Sequence, residues 1–222
     1  WCHPKQTADI DDSGLRKCAN PLLGNDSLGI YDTGKGLHFL ISRKGRNIAF
    51  SSLWDNYPDE VRIPITPKAK SYNAAYLMLA GTTNNMQSRI DNALVIAEYE
   101  EGCADTLHLE NPINWPTINE EYVFDDYAFW SAPVMPLRFR LDNGAVGRHI
   151  NSTELLTTVP LKKENKEKKI GENNRYAIEK GAGVILNMPL NPARRIRAIR
   201  IKTLSNDIVV GIMAITLQKT SD

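Results

Sequence analysis

Short apolar runs, each stopped by Gly, Pro or an Asn–Asp pair, recur along most of the chain, while the three-to-four spacing of an amphipathic helix is scarce. Residues 36–41 (GLHFLI) form one run, closed by Arg43, Lys44 and Gly45, and residues 47–51 follow at once, so the two predict a β-hairpin. Residues 61–65 alternate, but Pro64 cannot donate to a ladder, which predicts a strand at a sheet edge. Residues 75–80 end at Gly81. Residues 93–99 run into Glu101 and Gly102, and 106–109 return, predicting a second hairpin. The last third adds 182–188, 195–204 and 208–217.

Two of these strands carry more information. In 195–202 (RIRAIRIK) the apolar phase slips by one position between Ala198 and Ile199. One extra residue in a β-bulge restores the inward face, so a bulge is expected there. Residues 208–215 (IVVGIMAI) are apolar in both phases and predict a strand covered on both faces. Helical signals are confined to 176–180 and to the first turn after Asn151, Ser152, Thr153 and Glu154. The sum is an all-β chain, an antiparallel β-sandwich or jelly roll. Residues 36–222 read as a single sandwich domain, and 1–35 as an irregular N-terminal segment packing on it.

Composition narrows the setting. At 222 residues, with 42% apolar and 24% charged positions, the chain can bury a core and is not a disordered tail. No apolar run approaches the roughly 18 residues of a membrane helix. The 27 basic and 26 acidic residues give a net charge of +1, which argues against a nucleic-acid binder with a basic surface. Residues 162–169 (KKENKEKK) predict a solvated loop, and without them 22 basic residues face 24 acidic ones. The chain opens Trp1, Cys2, His3, Pro4 without an initiator Met, which leads us to expect a piece of a longer polypeptide. Three cysteines are too few for a disulfide scaffold, although Cys2 and Cys18 could close a loop worth about 3 kcal/mol.

Motifs of catalysis and metal binding are incomplete. Residues 29–36 match the phosphate-loop spacing until Gly36, where Ser or Thr should hold magnesium, and an apolar strand follows instead of a helix. Asp9, Asp11 and Ser13 with Gly14 resemble the start of a calcium loop, but Asn20 stands where a bidentate Glu belongs. A structural calcium there is the only cofactor the residues suggest. His3, His38, His108 and His149 share no ligand spacing. Asp59, Glu60, Glu120, Glu121, Asp125 and Asp126 supply carboxylates, and a glycosidase needs two of them facing each other across a cleft.

The aromatic residues say more. Trp54, Asn56 and Tyr57 sit together before Pro58, Asn114 and Trp115 stand before Pro116, and Trp130 closes a third such stretch. Rings in Asn- and Pro-rich loops can offer a flat apolar face to a sugar while neighbouring amides meet its hydroxyls. The opposing reading is that each Trp caps the core from a loop.

Residues 76–88 (YLMLAGTTNNMQS), 99–102 (YEEG), 109–116 (LENPINWP) and 204–217 (LSNDIVVGIMAITL) resemble a block in large secreted, glycoside-hydrolase-like proteins of gut bacteria. More loosely, the chain is similar to galactose-binding-like sandwiches appended to glycosidases. The likeness runs from about Leu37 onward. It implies a galactose-binding-domain-like fold and a secreted, periplasmic or cell-surface location in a Gram-negative bacterium. Where such sandwiches hold sugars, the site lies on loops at one end. Here that implicates Trp54, Asn56, Tyr57, Asn84, Asn85, Asn114, Trp115 and Trp130.

The leading expectation is therefore a non-catalytic β-sandwich module of a secreted bacterial carbohydrate-active protein. Its partner would be carbohydrate, bound weakly, or a neighbouring catalytic domain of the same polypeptide, which it braces; neither nucleic acid nor a membrane span is expected. Bracing would leave an exposed apolar patch on the separate module. The first alternative is a jelly-roll hydrolase or lyase using Asp59, Glu60, Asp125 or Asp126. The second is a protein-interaction module using strand 194–202 and the Lys-rich loop.

Overall fold

The computed structural model describes residues 10–54, 57–69, 71–84, 87–124, 135–148, 174–178 and 180–220, with the backbone alone for 120–124 and 174–177. Elements are numbered in chain order. The largest sheet has six strands in the order β11 (Val146–Gly147), β10 (Leu137–Arg140), β13 (Ala182–Pro189), β6 (Tyr72–Thr82), β15 (Val209–Lys219) and β4 (Ala49–Ser52). A four-stranded sheet runs β5 (Glu60–Pro64), β14 (Ile196–Thr203), β7 (Asp91–Tyr99) and β8 (Ala104–Glu110). A three-stranded sheet holds β1 (Asn20–Leu22), β2 (Asn25–Asp32) and β3 (His38–Ser42), and β9 (Glu120–Phe124) pairs with β12 (Asn174–Ala177). Every strand pairing is antiparallel. The chain is an all-β sandwich.

The six-stranded sheet is covered on both sides, and the period of two along a strand explains how. Leu77 and Leu79 of β6, Val184 and Leu186 of β13, and Val210 and Ile212 of β15 point into one core, against Val95 and Ala97 of β7 and Ile199 and Ile201 of β14. The intervening Met78, Ala80 and Ile185 point the other way. They meet Phe39 and Ile41 of β3, Tyr31 of β2 and Leu15 of helix α1 (Ser13–Cys18). Two buried faces account for the unbroken apolar run at the start of β15, where residues 209–214 are all buried. A register shift between Ile212 and Ala214 then returns Ile215 and Leu217 to the first core.

β14 carries a bulge, but the register against β7 shifts between Ile196 and Ala198, just before the expected Ala198–Ile199 step. Ala198 and Ile199 are consecutive buried residues, as the slipped apolar phase requires. β5, with Pro64, is an edge strand.

Three expectations are corrected. Residues 36–41 and 47–51 do not form a hairpin: β3 pairs with β2, and β4 pairs with β15 in another sheet. The cause is that Phe39 and Ile41 are needed as a lid on the outer face of the six-stranded sheet. Residues 176–180 do not start a helix, since Tyr176 and Ala177 lie in β12. The stretch 1–35 is not irregular where it is described. It contains α1, β1 and β2, and Leu15 and Tyr31 are buried in the second core. Asp12 ties α1 down: Arg16 Nε donates to its Oδ1 (2.9 Å), the Asn47 amide donates to its Oδ2, and Arg16 also donates to Asn47 Oδ1 (2.7 Å). The second helical expectation, near Asn151, and the Lys-rich loop 162–169 lie outside the described residues.

At the far end of β7, the Tyr99 hydroxyl donates to Asp105 Oδ2, and the Asn191 amide donates to both groups (2.9 and 3.0 Å). Burial, and then the Asp105 carboxylate, push the phenol up to about 12 from an ordinary 10. Burial also raises Tyr31. A phenol that ionises later in the folded than in the unfolded chain leaves stability intact below pH 10 and removes it as the pH rises from about 10 to 12. Urea titrations across that window should show the fall, and Tyr99→Phe should make it shallower.

Candidate functional site: an apolar end of the sandwich

Strand registers align four chain reversals at one end. Ser52 and Thr82 both face Val209, Ala93 faces Leu109 and Thr203, and Glu60 faces Lys202. The connections β4–β5, β6–β7, β8–β9 and β14–β15 therefore emerge side by side.

Hydrogen bonds strap these loops together. The Ser52 hydroxyl donates to the Ile208 carbonyl (2.6 Å), and the Ser51 hydroxyl donates to the Asp59 carbonyl (2.8 Å). The Thr203 amide reaches the same Asp59 carbonyl (2.9 Å), the Leu204 amide reaches the Asn92 carbonyl (2.9 Å), and the Arg89 amide reaches the Asn111 carbonyl (2.7 Å). Asn92 is the knot beneath them. Wholly buried, it accepts from the Thr83 hydroxyl (2.7 Å) and donates to the Gln87 and Ile90 carbonyls (2.7 and 3.0 Å). Arg89 and Asp207 adopt positive φ (57° and 60°), a backbone cost the straps hold in place.

The side chains that the loops send outward are apolar. Leu53 (44% exposed) and Trp54 (36%) stand on β4–β5, Ile90 (48%) on β6–β7, Ile113 (43%) on β8–β9 and Leu204 (39%) on β14–β15. The remaining exposed large apolar residues among those described, Leu23, Ile30 and Leu40, belong to the three-stranded sheet or its turn. Reasoning from the sequence missed Ile90, Ile113, Leu204 and Asn92. Each of the three aliphatics sits beside turn residues rather than in a strand run, and that position was the available signal.

The residues expected to bind sugar divide. Trp54, Tyr57, Asn84, Asn114 and Trp115 do lie on these loops. Trp54 is exposed, Tyr57 is half-buried with its ring edge-on to Phe50 (centroids 6.2 Å apart), and Asn84 is half-buried with its carbonyl accepting from the Gln87 amide. Asn114 spends its side chain on its own turn, accepting from the Glu110 amide and donating to the His108 carbonyl (2.8 Å each). Trp115 is corrected: at 1% exposure it is a core residue packed on Gly81, with no face turned to solvent. Asn56, Asn85 and Trp130 lie outside the described residues.

Below the apolar end, Trp115 Nε1, Thr117 Oγ1 and both side-chain polar atoms of Asn111 are buried without a hydrogen-bond partner among the described residues. A buried orphan donor costs about 1–3 kcal/mol. Trp115→Phe, which removes the donor and keeps most of the volume, should therefore cost less than about 1.5 kcal/mol in urea unfolding.

Carboxylates and cations are otherwise engaged. Glu60 Oε2 accepts from Arg200 (2.7 Å), and Asp59 contributes its backbone carbonyl to the straps. Asp125 and Asp126 lie outside the described residues, as do the side chains of Glu120 and Glu121. Asp11 Oδ1 accepts from the Ser13 amide (2.9 Å), which holds its carboxyl below the usual range, and Asp9 is not described. Among the described residues no three His, Cys, Asp or Glu are grouped to hold a metal ion. The Cys18 thiol donates to the Asn143 carbonyl (3.1 Å), while Cys2 lies outside the described residues. No helix among the described residues is long and apolar enough to cross a membrane.

Comparison with family models, with curated proteins and with solved structures gives no match. The fold and the loops thus define the class, an all-β sandwich with an exposed apolar end.

Proposed function

We propose that this chain is a non-catalytic β-sandwich module of a secreted bacterial carbohydrate-active protein, and that its apolar loop end braces a neighbouring domain of the same polypeptide. The observation that carries the reading is the set Leu53, Trp54, Ile90, Ile113 and Leu204, exposed on four mutually strapped loops at one end. Isolated surface apolar residues need no explanation, but a gathering of them on rigid loops is the usual signature of a contact surface. Its chemistry favours a protein partner over a sugar. Four of the five side chains are aliphatic, whereas a sugar site pairs aromatic rings with outward-facing polar groups. The secreted carbohydrate-active setting rests on the resemblance of residues 76–88, 99–102, 109–116 and 204–217 given above.

The test compares the module alone with the longer polypeptide in which the proposal places it. The triple change Leu53→Ser, Ile90→Ser and Leu204→Ser should shift the stability of the module alone by no more than about 0.5 kcal/mol per site, as exposed positions do. In the longer polypeptide the same change should separate the melting of the module from that of its neighbour. Unchanged melting of the longer polypeptide would refute bracing through this end. Release of reducing sugar by the module alone would replace the reading with the hydrolase alternative.

A further inference from the structure

β4 stops short along the edge of the six-stranded sheet. Its pairing with β15 ends at Ala49 opposite Ile212, where the register of β15 against β6 shifts between Ile212 and Ala214. Residues 46–48 therefore run apart from residues 213–215, and β5, the edge strand of the other sheet, stands across the opening. The result is a groove of about 560 Å³ between the two sheets.

Its walls are aliphatic. Ile63 of β5 and Ile65 just after it line one side, Ile48 stands before β4, and Met213 and Ile215 come from β15. The four isoleucines are only half-buried, so the two cores leave part of each uncovered. Among the described residues no aromatic ring and no carboxylate lines the groove. It has no platform on which a sugar or a base could stack. Branched aliphatic walls suit a flexible hydrocarbon chain instead.

One charge belongs to this lining. Arg46 is exposed and makes no hydrogen bond or ion pair among the described residues. The polar groups beside it are already engaged. Asp12, which shares an adjoining hollow with Arg46, accepts from Arg16 (2.9 Å) and from Asn47, and Asn47 Oδ1 accepts from Arg16 (2.7 Å). An arginine can lay its methylene stem along an apolar wall and keep its guanidinium in water, with the fork open to a carboxylate. The groove thus combines a hydrocarbon surface with one uncompensated cation.

We propose that this groove binds a linear fatty acid, with the alkyl chain between β5 and β15 and the carboxylate on Arg46. A peptide strand fits less well. Just beyond the groove the Thr216 hydroxyl donates to the His38 carbonyl (2.6 Å) and ties β15 to β3, which leaves only residues 213–215 beside the gap. An ordinary strand needs roughly five or six residues. The proposal is independent of the apolar loop end. The loops leave from Ser52 and Val209, whereas the groove begins at the other end of the same ladder, at Ala49 and Ile212.

Isothermal titration calorimetry of the chain with decanoate, below its micelle concentration, tests the proposal, with butyrate and decylammonium as comparison ligands. Decanoate is expected to bind at one site per chain. Each buried CH₂ strengthens binding about fourfold, so butyrate should give no measurable heat. Decylammonium carries the same chain with the opposite head and should bind about tenfold more weakly. Arg46→Glu should reverse that order and leave the melting temperature in place, because the side chain is exposed. In isoleucine-methyl NMR spectra, decanoate should move the signals of Ile63, Ile65 and Ile215 and leave those of Ile90 and Ile113 at the loop end. No binding of decanoate, equal binding of decylammonium, an unchanged order in Arg46→Glu, or shifts confined to Ile90 and Ile113 would overturn the proposal. Movement of the groove signals with chain concentration alone would give the groove to a second copy and overturn it as well.

Discussion

Trp115→Ala should destabilise the chain by about 3–5 kcal/mol, the cost of emptying a buried indole site, and lower its melting temperature by about 10 °C or more. Trp54→Ala should change stability by less than about 1 kcal/mol, because that ring is 36% exposed against 1% for Trp115. Differential scanning calorimetry of the two variants checks both values. The contrast matters for function. Loss of any binding activity on Trp115→Ala would report the loss of a core, whereas the same loss on Trp54→Ala would report a surface.

Gly81→Ala should be comparably severe. A Cβ at Gly81 would lie 2.0 Å from the Val209 carbonyl oxygen and 3.0 Å from Trp115 Cζ2. The first contact is backbone in the paired strand β15, so β6 and β15 would have to part just below the loop end. Overpacking of this kind costs about 3 kcal/mol or more where the neighbour cannot yield. Gly102→Ala provides the contrast. There nothing lies within 4 Å and the penalty is that of a positive φ of 84°, about 1 kcal/mol. Chemical denaturation of both variants should return a difference of about 2 kcal/mol.

Much of the architecture was legible because burial imposes a period on the sequence. The slipped phase in residues 195–202 signalled a bulge in β14, the doubly apolar run 208–215 announced a strand buried on two faces, and Pro64 marked an edge. What escaped was pairing over distance. Residues 36–41 and 47–51 are close in sequence and strand-like, yet Phe39 and Ile41 serve a second core made with Met78, Ile185 and Met213. Nothing local distinguishes that partner from a hairpin mate. α1 escaped because six residues are too few to display a helical period, and its anchor, Asp12 with Arg16 and Asn47, reaches across 35 positions.

The site was half legible. Its place on loops at one end was expected, and Trp54 stands there. Trp115 likewise stands in a loop with Asn and Pro close by, but points inward, because Gly81 leaves room for its indole against β6. Local composition cannot tell these two tryptophans apart; only the strand opposite can. Ile90, Ile113 and Leu204 were passed over because single aliphatics in turns carry no pattern until registers bring four turns together.

The account stands most directly on whether the loop end is covered in the longer polypeptide that we propose this module belongs to. Hydrogen–deuterium exchange measured on residues 52–54, 88–91, 112–114 and 203–206, in the module alone and within the longer polypeptide, addresses this. The account predicts that all four segments exchange more slowly in the longer polypeptide, while the outer face of β14 and β5 is unchanged. Equal exchange of the four segments in both would contradict it.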